Sequence, residues 1–136
     1  MFPVTLNGYA FEDSMLTFHL ASGITAADVG KAVALDTTAP NKVKLAGDDD
    51  YIIGRLETVE LRTQEGQNVG TVALRFAQRL PIKSGETIAV GDSLIGAGAG
   101  EVKAQAAYAA IGDVPLKPSR TIAVEIIGSS VVALHI

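Results

Sequence analysis

The sequence predicts an all-β, mainly antiparallel fold: a small β-barrel or β-sandwich built of hairpins, with at most one short helix and an extended N-terminal arm. Three observations support this prediction. Apolar residues alternate with polar ones over short runs, which is the period of a half-buried strand. Of the 136 residues, 48% are hydrophobic but only 5% are aromatic, so most apolar side chains are small. The 14 glycines supply the tight turns that short strands need.

Residues 14–136 are predicted to form one domain, preceded by an arm at residues 1–13. A chain of this length can enclose one hydrophobic core without disulfides or a metal ion. The sequence has no cysteine, which excludes a disulfide framework, a thiolate nucleophile and a cysteine-type zinc site. The arm carries Phe2, Tyr9 and Phe11, more apolar surface than a free tail should expose, so we expect it to become ordered against a partner.

Alternation places the domain's strands in order along the chain. Strands are expected at residues 15–20 and 71–76, and a terminal hairpin is expected from residue 122 to residue 136, turning at Gly128. The side chains predicted to point inward are Leu16, Phe18, Leu20, Val72, Leu74, Phe76, Ile122, Val124, Ile126, Val132, Leu134 and Ile136.

A long β-hairpin is predicted from residue 52 to residue 78, with an irregularity in its first strand. Leu56 occupies an even position, whereas Val59 and Leu61 occupy odd ones. A β-bulge near Glu57 and Thr58 would direct both sets into the core.

Two further segments, starting at Asp28 and Ala89, share one plan and are predicted to be short surface hairpins. In each, a glycine follows a valine, and a Val-Lys pair opens the second strand. Gly30 and Gly91 are expected to adopt positive φ, and Lys44 and Lys103 to mark exposed strand edges.

The charge of the chain argues against several kinds of partner. A net charge of -4 with a pI near 5.0 disfavours nucleic-acid binding, which depends on clustered Lys and Arg. The N-terminus lacks the basic and apolar regions of a signal peptide, and no apolar run is long enough to cross a bilayer. The sequence therefore predicts a cytosolic, soluble chain with no membrane partner.

Candidate catalytic and ligand-binding residues are few, and each has a structural interpretation. His19 and His135 lie opposite the apolar faces of their strands and are expected to face solvent or a subunit interface. Asp48, Asp49 and Asp50 lack the spacing of a calcium loop and predict a solvated turn. Gly96, Gly98 and Gly100 depart from the dinucleotide fingerprint, and no serine lies in a nucleophile elbow. The sequence predicts no catalytic, cofactor-binding or metal-binding residue, and hence no enzyme.

Three motifs resemble the capsid decoration, or cement, proteins of tailed bacteriophages. They are Ile-Thr-x-x-Asp-Val-Gly-Lys at residues 24–31, Gly-Arg-Leu at residues 54–56, and Val-Gly-Asp-x-Leu followed by Gly-x-Gly-x-Val-Lys within residues 90–103. Their order and spacing carry the resemblance, which extends over most of the chain.

This resemblance implies a non-enzymatic virion protein, made in the bacterial host cytoplasm and located on the outer face of the expanded capsid. Its partners would be the major capsid protein and copies of itself in a homotrimer or homodimer. It would stabilise the contacts between capsid subunits. The arm residues expected to contact the capsid or a sister subunit are Phe2, Tyr9, Phe11 and Glu12.

Two other classes of binding protein remain open from the sequence. A barrel-sandwich carrier domain shares the hairpin-rich plan, but its modified lysine needs a tight hairpin tip, which the surroundings of Lys31 and Lys83 do not indicate. A small ligand-binding β module, such as a carbohydrate-binding one, would have only three Tyr, four Phe and no Trp for stacking on sugar rings.

Overall fold

The computed structural model of the chain describes residues 9–10, 15–62, 67–105 and 119–136, and these residues form an all-β fold. One single-turn 3-10 helix, Ala26–Asp28, accompanies the strands. The strands are β1 (Tyr9–Ala10), β2 (Met15–Leu20), β3 (Ala32–Leu35), β4 (Lys42–Leu45), β5 (Gly54–Arg62), β6 (Gln67–Ala73), β7 (Phe76–Pro81), β8 (Leu94–Gly98), β9 (Glu101–Ala104), β10 (Thr121–Ile127) and β11 (Ser130–His135). The predicted fold class is confirmed.

Two main sheets organise these strands. A closed five-stranded barrel has the order β2-β4-β3-β5-β6, in which β2 and β4 are parallel and the other pairs are antiparallel. A four-stranded antiparallel sheet has the order β1-β7-β11-β10. The β8–β9 hairpin bridges to this sheet through Ser93 and Ile122, and to the end of β7 through Val102 and Ile82.

The predicted bulge in β5 is confirmed. Leu56 pairs with Val72 and Thr58 with Thr71, so Glu57 is the extra residue. The bulge keeps Leu56 fully buried inside the barrel while Val59 still packs against the same cluster. Leu61, predicted to point into the core as well, is instead 49% exposed near the end of β5. The β5–β6 pairing continues to Arg62 and Gln67, as the predicted long hairpin requires.

Two hydrophobic clusters fill the molecule, and β3 contributes to both of them. Val33 belongs to the cluster inside the barrel, together with Leu20, Val43, Leu56 and Val72. Its neighbours Ala32 and Ala34 belong to a second cluster, which we call the junction core, between the barrel, the four-stranded sheet and the β8–β9 hairpin. Small side chains at these positions let the barrel and the sheet approach closely, which accounts for a composition rich in alanine and poor in aromatics.

The strand predicted at residues 71–76 is divided in the structure. Leu74 and Arg75 form a bend, so β6 ends in the barrel at Ala73 and β7 begins in the other sheet at Phe76. Val72 and Phe76 are fully buried as predicted, but they belong to different cores. The alternation continues across the bend, which is why the sequence reads as one strand.

The terminal hairpin forms as predicted, but the prediction for the inward face of β10 is wrong. Thr121 and Ala123 are buried, whereas Ile122 and Ile126 are 36% and 37% exposed. A register shift between Ala123 and Glu125 interrupts the alternation of this strand. The junction core includes Ala123 and not the larger isoleucines of β10, because the barrel and the β8–β9 hairpin lie close to the sheet.

The prediction for the inward face of β11 is only partly correct, because nearly every position of this strand is apolar. Val132 is buried as predicted, but Val131, Ala133 and His135 on the other face are buried as well. Ile136, predicted to point inward, is 56% exposed. A strand that is apolar on both faces gives no period from which the inward face can be predicted.

The prediction for Leu16 also fails, because of strand pairing. Leu16 is 53% exposed, since β2 pairs with β4 only at His19 and Leu20 and its first half lies at an open edge within the described residues. Lys44 pairs with Ala34 of β3, the pairing of β4 with β2 is limited to Lys42 and Val43, and the Lys44 side chain is 44% exposed. Gly30 and Gly91 do adopt positive φ, of 94° and 93°.

Candidate interaction surface

The N-terminal arm is joined to the sheet through β1. Tyr9 pairs with Ala77 and Ala10 pairs with Phe76, so β1 forms one edge of the four-stranded sheet. The backbone of Tyr9 is thus fixed beside its own chain. The other predicted contact residues, Phe2, Phe11 and Glu12, lie outside the described residues, as does most of the arm.

Arg55 links the barrel to β7, the strand with which β1 pairs. Its Nε donates a hydrogen bond of 2.8 Å to the carbonyl oxygen of Arg79 in β7, and its Nη1 lies 2.7 Å from Glu57 Oε1. The neighbouring Gly54 could not be replaced without a clash, because a Cβ there would meet the Ala73 carbonyl and lie 2.5 Å from Val72 Cγ1. The Gly-Arg-Leu motif therefore specifies the junction between two sheets.

Exposed aliphatic side chains lie at one end of the barrel, which we call the distal end. Leu35 pairs with Val43, which in turn pairs with Leu20, the last residue of β2. Leu61 pairs with Asn68, near the tip of the β5–β6 hairpin. Leu35 and Leu61 are about half exposed, at 52% and 49%. Aliphatic groups this open to solvent on strand ends are suited to burial against another protein surface.

A shallow cleft of about 410 Å³ adjoins the distal end. The lining residues are His19, Leu20, Ser22, Ala39, Pro40, Lys42 and Asn68. His19 is exposed there, as the sequence predicted, and its backbone N–H donates to the carbonyl of Asn41 at 2.8 Å. Lys42 Nζ lies 3.7 Å from Asp36 Oδ2, so its charge is already partly compensated. This combination offers hydrogen-bonding groups around an apolar floor.

His135, by contrast, does not face solvent, and the prediction for this residue is wrong. It is only 6% exposed, its ring is stacked on Phe76 with 5.5 Å between ring centroids, and its Nδ1 lies 2.7 Å from Thr121 Oγ1. Burial, with a smaller contribution from the positive charge of Arg120, lowers the pKa of His135 to about 4. The apolar neighbours on both faces of β11 were the only sequence signal that this histidine is enclosed.

His135 lines a second cleft of about 450 Å³ between the barrel and the four-stranded sheet. The lining residues are Tyr51, Ile52, Ile53, Leu74, Arg75, Arg120, His135 and Ile136. Both charged side chains among them are arginines.

The acidic turn at Asp48 and Asp49 is held by Lys103 of β9, a pairing that the sequence analysis did not foresee. Lys103 Nζ lies 2.7 Å from Asp48 Oδ1 and 2.8 Å from Asp49 Oδ1. The hydrogen bond from Lys103 lowers the pKa of Asp48, and the hydrogen bond with Asp48, followed by that with Asp49, raises the pKa of Lys103. Asp48 and Lys103 are 55 positions apart in the sequence, which explains why no local spacing indicated their pairing.

The motif at residues 24–31 is also explained by local structure. Thr25 caps the 3-10 turn, with Ala27 N–H donating to its Oγ1 at 3.3 Å, and Asp28 Oδ2 accepts from Thr25 N–H at 2.9 Å. Lys31 Nζ donates to Asp28 Oδ1 at 2.9 Å, and the hydrogen bond from the Thr25 backbone is the main reason that the pKa of Asp28 is lowered. Gly30 N–H donates to Leu56 O at 2.7 Å, which places this capped turn against β5.

The motif at residues 90–94 plays the same kind of role. Asp92 Oδ2 accepts from Ala89 N–H at 2.8 Å, and Gly91 N–H donates to Ala123 O at 2.7 Å. Leu94 is fully buried in the junction core. The residues that carry the resemblance thus form turns, caps and core in this chain.

Two further features bear on the possible chemistry. Within residues 9–10, 15–62, 67–105 and 119–136, no group of three or more His, Asp or Glu side chains could hold a metal ion. In the same part of the chain, no helix is long and apolar enough to span a membrane. Comparison of the chain with known protein families and with curated protein sequences found no match.

Proposed function

We propose that the chain is a non-enzymatic structural virion protein that binds the outer face of the expanded phage capsid and stabilises contacts between major capsid subunits. The resemblance of its three motifs to capsid decoration proteins is the first support. The observation that carries the proposal is the position of β1, a two-residue strand that joins the apolar arm to the edge of a folded domain. An arm joined in this way can reach a neighbouring subunit while the domain keeps its fold.

The reach of the arm supports this role. Fully extended, residues 1–8 would span up to about 28 Å. Phe2, Val4 and Leu6 alternate with Pro3, Thr5 and Asn7 along it, the period of a strand that can be added to another protein's sheet. We expect this segment to become ordered on binding. The loss of conformational entropy then offsets part of the free energy gained from its contacts.

Shell stability would arise by mass action. A protein that binds the expanded lattice but not the unexpanded or dissociated subunits stabilises the expanded state by RT ln(1 + [L]/Kd), which is about 2.7 kcal/mol per site at a free concentration of 100 Kd. The distal-end residues Leu35 and Leu61 would supply a second contact, either to the shell or to a sister copy in a homotrimer or homodimer.

The direct test is co-sedimentation of the purified protein with expanded, undecorated capsids and with unexpanded shells. We expect saturable binding to the expanded form alone, at a stoichiometry that matches local symmetry axes of the lattice. Absence of binding to either form would contradict the proposal. The carrier alternative would then be tested by intact-mass measurement for a modified lysine, with Lys83 as the first candidate because it opens the turn that Glu86 N–H closes at 3.1 Å.

Removal of residues 2–8, which leaves β1 in place, should weaken capsid binding by at least tenfold, since it removes Phe2, Val4 and Leu6 from the arm. The melting temperature should change little, because all the described strands, β1 included, are retained. The measurements are a binding isotherm on expanded capsids and a thermal unfolding curve. A truncation of residues 2–13 serves as the comparison and should behave alike in binding. Loss of the fold in the shorter truncation, or undiminished binding, would contradict the role of the arm.

A further inference from the structure

One row of residues crosses all four strands at an end of the four-stranded sheet. Thr121 of β10 pairs with His135 of β11, His135 pairs with Phe76 of β7, and Phe76 pairs with Ala10 of β1. We call these four residues the end row. The imidazole of His135 contacts both of its neighbours, because it stacks on Phe76 with an interplanar angle of 5° and lies within hydrogen-bonding distance of the Thr121 hydroxyl.

The charged and titratable side chains that line the cleft with His135 carry no negative charge to balance an imidazolium near neutral pH. Arg120 precedes β10, Arg75 lies in the bend before β7, and Tyr51 lies on the barrel side of the same cleft. No Asp or Glu side chain is among the described residues that line this cleft. The Thr121 hydroxyl can accept a hydrogen bond from a protonated Nδ1, but it carries no charge to balance the imidazolium.

We propose that His135 is an acid-sensitive latch: its protonation opens the end row and loosens β1, and with it the base of the N-terminal arm, while the barrel stays folded. The proposal is independent of capsid binding and concerns the isolated chain. The ring leaves the Phe76 stack because a buried imidazolium is disfavoured by desolvation and by the positive charge of Arg120, and both effects weaken when the ring is hydrated. The other end of the same sheet, where Leu80 pairs with Val131, contains no titratable side chain in either residue and keeps its packing.

The sign of the pH effect follows from the lowered pKa. The pKa of His135 is about 4 in the folded state and 6.5 as the unperturbed value, so the folded state binds fewer protons than the opened state between these limits. Neutral His135 therefore contributes its full stabilisation of the closed end row above about pH 6.5. This contribution is lost as the pH falls towards 4. Between about pH 7 and pH 5, closing should become about 20-fold less favourable.

The test is an NMR titration of the full chain that follows the ring signals of His135. We expect these signals to titrate at least about one pH unit below the unperturbed value of 6.5. The backbone signals of Ala10, Phe76 and Thr121 should shift with the same midpoint as His135, whereas those of Val33 and Val72 in the barrel should not. A His135 midpoint near the unperturbed value, or a midpoint shared by the barrel, would overturn the proposal.

A pair of variants separates the charge of His135 from its packing. His135→Gln keeps a polar partner for Thr121 but cannot be protonated, and His19→Gln is the matched control. Between about pH 7 and pH 5, the unfolding equilibrium constant of the native chain and of H19Q should rise about 20-fold, while that of H135Q should change much less. Equal acid sensitivity in all three proteins would overturn the proposal. If H135Q does not fold, the titration of the native chain decides the question by itself.

Discussion

Replacing Gly96 with alanine should lower the free energy of unfolding by about 3 kcal/mol or more. A Cβ at this position would overlap the carbonyl oxygen of Gly47 and lie 3.0 Å from Ala46 Cβ and 3.3 Å from Asp50 O. Two of these three atoms belong to the backbone, so no side-chain rotation can make room. The turn at residues 46–50 would have to move away from β8.

Movement of this turn would break several interactions together. Gly96 N–H donates to Asp50 O at 2.9 Å, and Asp49 N–H donates to Gly96 O at 3.0 Å. The ion pairs of Lys103 with Asp48 and Asp49 depend on the same placement. The contacts of Gly96, and not flexibility, therefore explain the glycine at the start of the Gly-x-Gly-x-Gly segment.

Urea unfolding of G96A beside Gly85→Ala would check this expectation. Gly85 has a φ of 89° and nothing within 4 Å of an added Cβ, so its replacement tests backbone strain without a clash. We expect G85A to lower the free energy of unfolding by about 1 kcal/mol, because alanine is disfavoured at a left-handed backbone conformation. Equal losses in the two variants would contradict the steric argument.

Replacing Leu56 with alanine should cost about 2–5 kcal/mol. Leu56 is fully buried in the barrel cluster and is one of the largest side chains there. Each of the five strands of the closed barrel pairs with two neighbours, which limits how far the barrel can contract around the cavity left by the lost atoms. The free energy of unfolding should therefore fall by more than the transfer free energy of the removed methyl and methine groups.

Leu35→Ala is the matched control, because it deletes the same atoms from a side chain that is 52% exposed. Its free energy of unfolding should change by about 0.5 kcal/mol or less. Chemical denaturation with constant m-values would make the two variants comparable. Similar effects at both positions would mean that the barrel interior relaxes freely, contrary to the packing described above.

Several elements of this fold could be predicted from short sequence intervals. The phase change between Leu56 and Val59 predicted the bulge, because a strand with one buried face must correct a slip in its apolar period. The Val-Gly turns predicted positive φ at Gly30 and Gly91. The exposure of His19 followed from its place opposite Phe18 and Leu20 on β2.

Other features depended on contacts between distant parts of the chain. The sequence could not distinguish the two apolar faces of β11, and the choice was made by the junction core, which admits Val131 and Ala133 and encloses His135. The pairing of Lys103 with the acidic turn likewise required β9 to lie beside residues 48–49. For the candidate surface, the sequence indicated the arm, but not the strand β7 to which β1 is joined.

By itself, then, the sequence determined the all-β class, the hairpins with their turns, and the bulge in β5, since each depends on φ preferences and on a period of two within a few residues. Only the tertiary structure decided that residues 71–76 divide between a barrel and a sheet, which face of the terminal hairpin is buried, and that His135 is enclosed. These outcomes depend on close packing of small residues such as Ala32, Ala34 and Ala123 across the junction. This packing depends on which surfaces meet in the folded chain, so it cannot be predicted from the sequence of any one strand.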